Sequence, residues 1–212
     1  MTKHRSTGEF HGTLWITGEP DVDGFVNQNP LALIIAMLLD QQISIELAFR
    51  GPSRLRERMT TPFTAQAIAD YEPAAFTELC RTKPALHRFP GSMATRIQLL
   101  CGYLADHYEG DPQRLWCSGH DQDAGRGGEP FDAATVRANL ETLPGYGPEK
   151  SRILLAVLAK RFGIAPENWE AVAAPFSDHQ PRSVADMGSE DEHRAVREWK
   201  AVQKAAGRSK SD

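Results

Sequence analysis

One nonapeptide limits the fold more than any other stretch: Leu143-Pro144-Gly145-Tyr146-Gly147-Pro148-Glu149-Lys150-Ser151. It is a tight turn holding two glycines, with helical patterns on both sides. Upstream, residues 131–141 read as a short amphipathic helix; downstream, Ile153, Leu154, Val157, Leu158 and Phe162 recur at the spacing of one helix face. Pro148 suits the first turn of the second helix, where a missing N–H costs nothing. Gly145 and Gly147 permit backbone angles and a closeness of approach that a β-carbon would block. The opening amides of a helix lack intrahelical partners and carry partial positive charge, so a bare turn that exposes them is a ready phosphate site. The plainer alternative is an ordinary helix–helix turn.

A second constraint lies upstream. Asn29-Pro30 opens a helix as cap and first residue, and Leu31, Leu33, Ile34, Ile35, Met37, Leu38 and Leu39 make it apolar nearly all round. Such a helix is central and buried. It ends in Asp40-Gln41-Gln42-Ile43-Ser44, and glutamines directly after a buried helix are rarely there for packing.

The remaining pattern is helical too. Ile45–Met59 is basic through Arg50, Arg54, Arg56 and Arg58, with a break expected near Gly51-Pro52. Short helices are expected over Thr64–Asp70, Pro73–Arg81 and Pro166–Ala174, the last with Trp169 buried, and a longer one over Met93–Tyr108. A final helix, from about Glu190 to Ala206, has an apolar edge at Val196, Trp199 and Val202. Its other face is basic through Arg194, Arg197, Lys200, Lys204, Arg208 and Lys210. Leu14-Trp15-Ile16 reads as a strand or a strap on the core, and Gly18–Asn29 as turn-rich. No sheet is evident, so the fold class is all-α. One domain is expected over residues 13–207, with its hairpin at 132–162 and an exposed, flexible Gly/Asp-rich insertion at 117–129. A flexible leader (1–12) and a short tail (208–212) flank it.

Bulk properties narrow the function classes. A net charge of -4 gives no global basic signature, so any nucleic-acid contact must come from a local patch. Cys80, Cys101 and Cys117 are scattered without metal spacing, which implies a reducing compartment and no disulfide framework. His120 with Asp121 and Asp123 lacks the regular spacing of a metal site, and none is expected. The N-terminus carries no apolar signal core, and the longest apolar run, Leu31–Leu39, is too short to cross a bilayer. The expectation is a cytoplasmic monomer with no membrane partner.

The L-P-G-x-G turn followed by a helix with a small residue, here Ser151, resembles the hairpin of the helix-hairpin-helix DNA glycosylases. That superfamily includes endonuclease III, adenine glycosylase and the alkylpurine glycosylases. The N-P-…-Q-Q helix upstream strengthens the likeness, which covers about residues 29–163 and is greatest to a small bacterial branch without an iron–sulfur cluster. The resemblance implies a two-lobed helical fold with a cleft between the lobes, acting on double-stranded DNA. It implies DNA contacts at Gly145, Tyr146, Gly147 and Lys150, at Gln41 and Gln42, and at Arg88 and Arg96, with His87 a further candidate or a helix cap. Gln42 would fill the space left by a flipped base, or it is a hydrogen-bonded helix end.

The same resemblance sets the chemistry. Breaking a base–sugar bond passes through an oxocarbenium-like sugar and needs a carboxylate nearby. The family's acid is an Asp beyond the hairpin's second helix; the usual distance lands among Glu167, Glu170 and Ala173, where no Asp stands. Asp186 is the first choice and requires an inserted segment; Asp178 is the runner-up, and Asp186 as a plain helix cap is the alternative. Bifunctional members carry a nucleophilic Lys two residues after the second Gly, where Glu149 stands here. Lys150 lies one residue on, roughly 100° around the helix, so it stands as a third candidate catalytic residue while no lyase activity is expected. Met37 stands where adenine glycosylases carry a catalytic Glu. No cysteine lies beyond residue 117, so the iron–sulfur cluster is not expected, though an alkali cation at the hairpin carbonyls is compatible with the resemblance. Two readings follow: a monofunctional base-excision glycosylase, or a DNA-binding module that has lost its acid.

Overall fold

The central helix is built as its sequence dictates. In the computed structural model, which describes residues 10–118 and 128–209, Pro30–Leu39 (α2) is buried along its whole length from Leu31 to Leu39. The Asn29 side chain accepts from the Ala32 amide at 2.9 Å, and Pro30 fills the first helical position. Helices on both sides of it in the sequence pack directly on this rod.

One group of helices packs on its first side. Ile45–Arg58 (α3) lies against α2, capped by Ser44. Gly51 permits the close approach: a Cβ there would sit 2.3 Å from Leu39 Cδ1. The helix runs unbroken through Pro52, where the sequence suggests an interruption. A proline inside a helix costs about 3 kcal/mol, whereas each fully buried large apolar side chain returns about 1.5–3 kcal/mol. Phe49 and Leu55, both fully buried, flank Pro52, so packing decides the outcome. Ala65–Ala69 (α4), capped by Thr64, and Pro73–Arg81 (α5), capped by Glu72, pack on the long helix Pro90–Tyr108 (α6).

The second group contains the hairpin. Pro112–Leu115 forms a short 3-10 helix, followed by Ala133–Thr142 (α7), Pro148–Phe162 (α8), Trp169–Ala173 (α9), a 3-10 turn at Val184–Asp186 and Glu190–Ala205 (α10). Trp169 is half-buried rather than buried. A minimal antiparallel ladder, Cys117–Ser118 (β1) with Glu129–Pro130 (β2), closes the insertion, which corrects the expectation of no sheet. Most of that insertion, with His120, Asp121 and Asp123, lies outside the described residues, as do residues 1–9 and 210–212.

The largest departure from the sequence reading is Pro20–Gln28 (α1), a helix where turns are expected. Its identity is set by distant partners rather than by periodicity. The Asp23 carboxylate, 6% exposed, accepts from the amides of Ile16, Thr17 and Gly18 and from the Thr17 hydroxyl. Asn27 bonds both backbone groups of Leu14 at 2.9 Å. Residues 14–16 are therefore a strap pinned by side chains, not a strand. The strap also reaches the far end of the chain, since the Thr13 amide donates to Arg161 O and the Trp15 amide to Met187 O.

Candidate functional site

The hairpin turn is shaped by one glycine and left open by the other. Gly145 has φ 87°, and a Cβ there would lie 2.5 Å from Leu38 Cδ1, so both the angle and the contact demand glycine. Gly147 has an ordinary φ of -97° and nothing within 4 Å of a built Cβ. The fold gives no reason for glycine at 147, and the exposed position before α8 stays clear for an incoming group. No side chain caps α8, so the positive end of its dipole faces that space.

The residue between the two glycines faces inward. Tyr146 is 5% exposed, its hydroxyl donates to Ile34 O at 2.6 Å, and its amide donates to Leu143 O at 3.0 Å. Burial pushes its phenol well above the usual value. The expectation of Tyr146 as a DNA contact is thus corrected: it rivets the hairpin to α2. Ser151 is fully buried and its hydroxyl has no hydrogen-bond partner among the described residues, so its smallness is what the packing uses.

Across the gap stands the C-terminal end of α2. Lys150 Nζ donates to the carbonyls of Met37 and Leu38, the latter at 3.3 Å, and Gln41 Nε2 donates to Leu38 O at 2.7 Å. Arg96 Nη1 donates to Gln41 Oε1 at 2.9 Å. His87, 2% exposed, accepts from the Phe89 amide on Nδ1 at 3.0 Å, which leaves Nε2–H to donate to Gln41 O at 2.7 Å. His87 is therefore a brace under the loop and not a surface contact. Arg88 and Arg96 are exposed, with the Arg88 guanidinium 4.8 Å from the Phe89 ring centre.

This bracing converges on Gln42. It is exposed at the tip of the loop with φ 57°, a left-handed angle uncommon for a side chain of this kind. The backbone is held from below by His87 and Gln41, while the Gln42 amide makes no hydrogen bond with any described residue.

Between loop and hairpin lies an open pocket of about 380 Å³ lined by Met37, Asp40, Gln41, Gly145, Glu149 and Lys150, among others. Two acidic residues are among its lining. Glu149 is on the first turn of α8; Asp40, half-buried, is the residue that closes α2. Sequence reasoning passed over Asp40, yet a signal was present: an acid at the negative end of a helix dipole, with no basic residue in the last turn, is electrostatically misplaced.

The acids favoured by sequence are elsewhere. Asp186 accepts from Lys160 Nζ at 2.7 Å and from the amides of Arg182 and Ser183 at 3.0 Å, and it completes a capping box with Ser183. Lys160 is ten residues along α8 from Lys150, about 15 Å away. Asp178 accepts from Arg182 Nε at 2.9 Å and from the Gln180 amide at 3.0 Å. Neither lines the pocket. The chain returns to the hairpin earlier, where Arg152 Nη1 donates to Ala174 O at 2.9 Å, and Ala173-Ala174 brings no carboxylate. Among the described residues no three His, Cys, Asp or Glu side chains gather as a metal site, and no single helix is long and apolar enough to cross a membrane.

The family model described as HhH-GPD superfamily base excision DNA repair protein matches residues 35–210. No curated protein matches the chain. A solved structure of a trapped endonuclease III–DNA covalent intermediate, an estranged-adenine complex, is similar at 19% identity and a TM-score of 0.43. That likeness covers 79% of this chain and 72% of the other, too loosely to carry an argument.

Proposed function

This chain belongs to the HhH-GPD superfamily of base excision DNA repair proteins, and from that premise we propose that it is a monofunctional DNA N-glycosylase with Asp40 as its working carboxylate. The observation that carries the reading is that Asp40 lines the open pocket between the end of α2 and the hairpin. The positive end of α8, beside Gly145 and Gly147, receives a backbone phosphate of the duplex. Gln42, braced by His87 through Gln41, enters the stack where a nucleotide has swung out. The extruded base occupies the pocket, whose volume of about 380 Å³ lies within the usual range for small-ligand sites.

In the reaction the C1′–N bond breaks, its electron pair leaves with the base, and the sugar becomes cationic. Asp40 stabilises that cation and accepts a proton from the water whose oxygen bonds to C1′; the departing base takes up a proton. The Lys150 amine is turned to the α2 carbonyls, which favours hydrolysis over a Schiff-base route.

The test is base release from a panel of lesion-bearing duplexes by the intact protein and by Asp40→Asn. Release by the wild type, lowered by at least about 100-fold in Asp40→Asn with binding retained, supports the assignment. Equal release by both proteins rules Asp40 out.

A second reading, an acid-free DNA-binding module, is favoured by one observation: the segment that returns to the hairpin at Ala173-Ala174 bears no carboxylate. Salt-dependent duplex binding without release of any base would select it.

A further inference from the structure

We propose that α10 is a second DNA-binding element, a cationic rail that takes the phosphate backbone of the duplex flanking the Gln42 loop. The inference rests on the DNA-acting reading above but uses none of the hairpin's residues.

Arg194, Arg197, Lys200 and Lys204 follow one another at intervals of three, three and four residues. At 100° per residue they fall within an arc of about 120° and extend about 15 Å along the axis. Beyond the helix end, Gly207 has φ 69° and the Arg208 amide donates to Gln203 O at 2.9 Å, which turns Arg208 back towards the same end of the helix. Three of the four acids of α10, Glu190, Asp191 and Glu192, occupy the first turn, where the helix dipole favours them; Glu198 stands in mid-helix, and no acid follows it as far as Arg208. The dipole does not account for Arg194, Arg197 and Lys200, which stand in mid-helix. Over Glu190–Ala205 four cations and four acids cancel, so the positive excess lies after Glu198, at Lys200, Lys204 and Arg208.

The rail is held at one end and clear at the other. Val196 and His193 are buried, and the Arg182 guanidinium lies 5.3 Å from the Trp199 ring centre, so the middle of α10 is anchored. Ala201, Val202, Lys204 and Ala205 are exposed, Val202 at 63%, so the final turns stand off the body. Arg194 and Arg197 remain 61% and 70% exposed at the side chain despite their acidic neighbours.

Location gives the occupant. His193 Nε2 and Arg197 Nη1 lie 3.2 and 3.6 Å from Glu46 Oε1. Glu46 is in the first turn of α3, immediately after the loop that carries Gln42. The first half of α10 therefore lies against the start of α3, next in the chain to the loop assigned to the DNA stack, and in the proposed complex a duplex engaged at that loop continues onward past α10. One strand carries a phosphate for about every 3.4 Å of duplex axis and winds around it, so its phosphates lie farther apart than that along the backbone and a straight face of about 15 Å meets roughly two or three of them.

The experiment uses the full chain and the triple variant Lys200→Ala/Lys204→Ala/Arg208→Ala, with fluorescence anisotropy on a long and a short lesion duplex across a salt series. The long duplex should bind about 10-fold or more weaker to the variant, and its slope of log K against log salt should fall by about 2.7, which is about 0.9 for each of the three lost phosphate contacts. The short duplex, covering only the hairpin and Gln42 loop, should bind both proteins alike. The charge-keeping variant Lys200→Arg/Lys204→Arg/Arg208→Lys should restore the slope. An unchanged slope on the long duplex overturns the rail and leaves the hairpin reading standing. Equal loss on both duplexes, or failed rescue by the charge-keeping variant, overturns it as well. A wild type that binds neither duplex overturns both proposals.

Discussion

Lys150 reaches across the pocket to the carbonyl of Met37, 113 residues earlier in the chain, and so closes the end of the helix from which Asp40 projects. A cation at a helix C-terminus is favourable, and hydrogen bonds from a charged donor contribute about 1.5–3 kcal/mol. The same contact holds the amine at the α2 carbonyls. Lys150→Ala should therefore unfold at lower denaturant, with a loss of about 2 kcal/mol. Borohydride treatment of the wild type with an abasic duplex should trap no covalent complex. A trapped adduct that disappears in Lys150→Ala would reassign the lysine as a nucleophile.

The two hairpin glycines should separate folding from binding. Gly145→Ala imposes a left-handed angle on a side chain and drives Cβ against Leu38, so a loss of about 2–4 kcal/mol is expected from strain and overpacking together. Gly147→Ala meets open space at an allowed angle and should leave the melting curve nearly unmoved, while a bulkier Gly147→Val should weaken duplex binding. Thermal melts and anisotropy on the same samples check both. Full-strength binding by Gly147→Val would remove the phosphate from this turn.

Asp186 and Asp40 should differ in kind. Asp186→Asn breaks an ion pair whose partners are only 12% and 18% exposed at the side chain, and it weakens the capping box. Removing one member of such a pair leaves Lys160 uncompensated, so about 2–3 kcal/mol of stability should be lost. Asp40→Asn touches no such network and should stay within about 0.5 kcal/mol of the wild type. Urea titrations decide this without any knowledge of the lesion. A stable Asp186→Asn variant would show that the carboxylate is not held for structural reasons.

Local rules made α2 and the hairpin legible. Asn29-Pro30 ahead of an apolar run signals a helix start, and two glycines flanked by helical periodicity signal a turn. What escaped was decided across long separations. The helical state of α1 depends on Asp23 and Asn27 serving the strap at residues 14–18, and Gly24 in its interior masks the pattern. Pro52 reads as a break until Leu39 is seen against Gly51. The family resemblance points to an acid beyond the hairpin, at Asp186 or Asp178, whereas the acids that line the pocket are Asp40, from much earlier in the chain, and Glu149. Tyr146 sits inside a motif read for DNA contact, but only the packing shows that its hydroxyl turns inward to Ile34.

The link between α10 and α3 should be acid-labile. Burial raises the Glu46 pKa, but hydrogen bonds from its own amide and the Ser44 hydroxyl, with the charges of His193 and Arg197, outweigh burial and hold it below 4.5. A carboxylate lowered in the folded state stabilises the protein above its unfolded pKa, and that contribution is lost as pH falls through the folded value. Stability measured by urea titration should therefore drop between about pH 5 and pH 3, and Glu46→Gln should flatten that part of the profile. Because Glu46 is the carboxylate against which His193 and Arg197 of α10 rest, Glu46→Gln should also raise amide exchange in α10 at neutral pH while leaving α2 protected. An unaltered acid limb together with unaltered α10 exchange would mean that Val196 and Trp199 alone seat the helix.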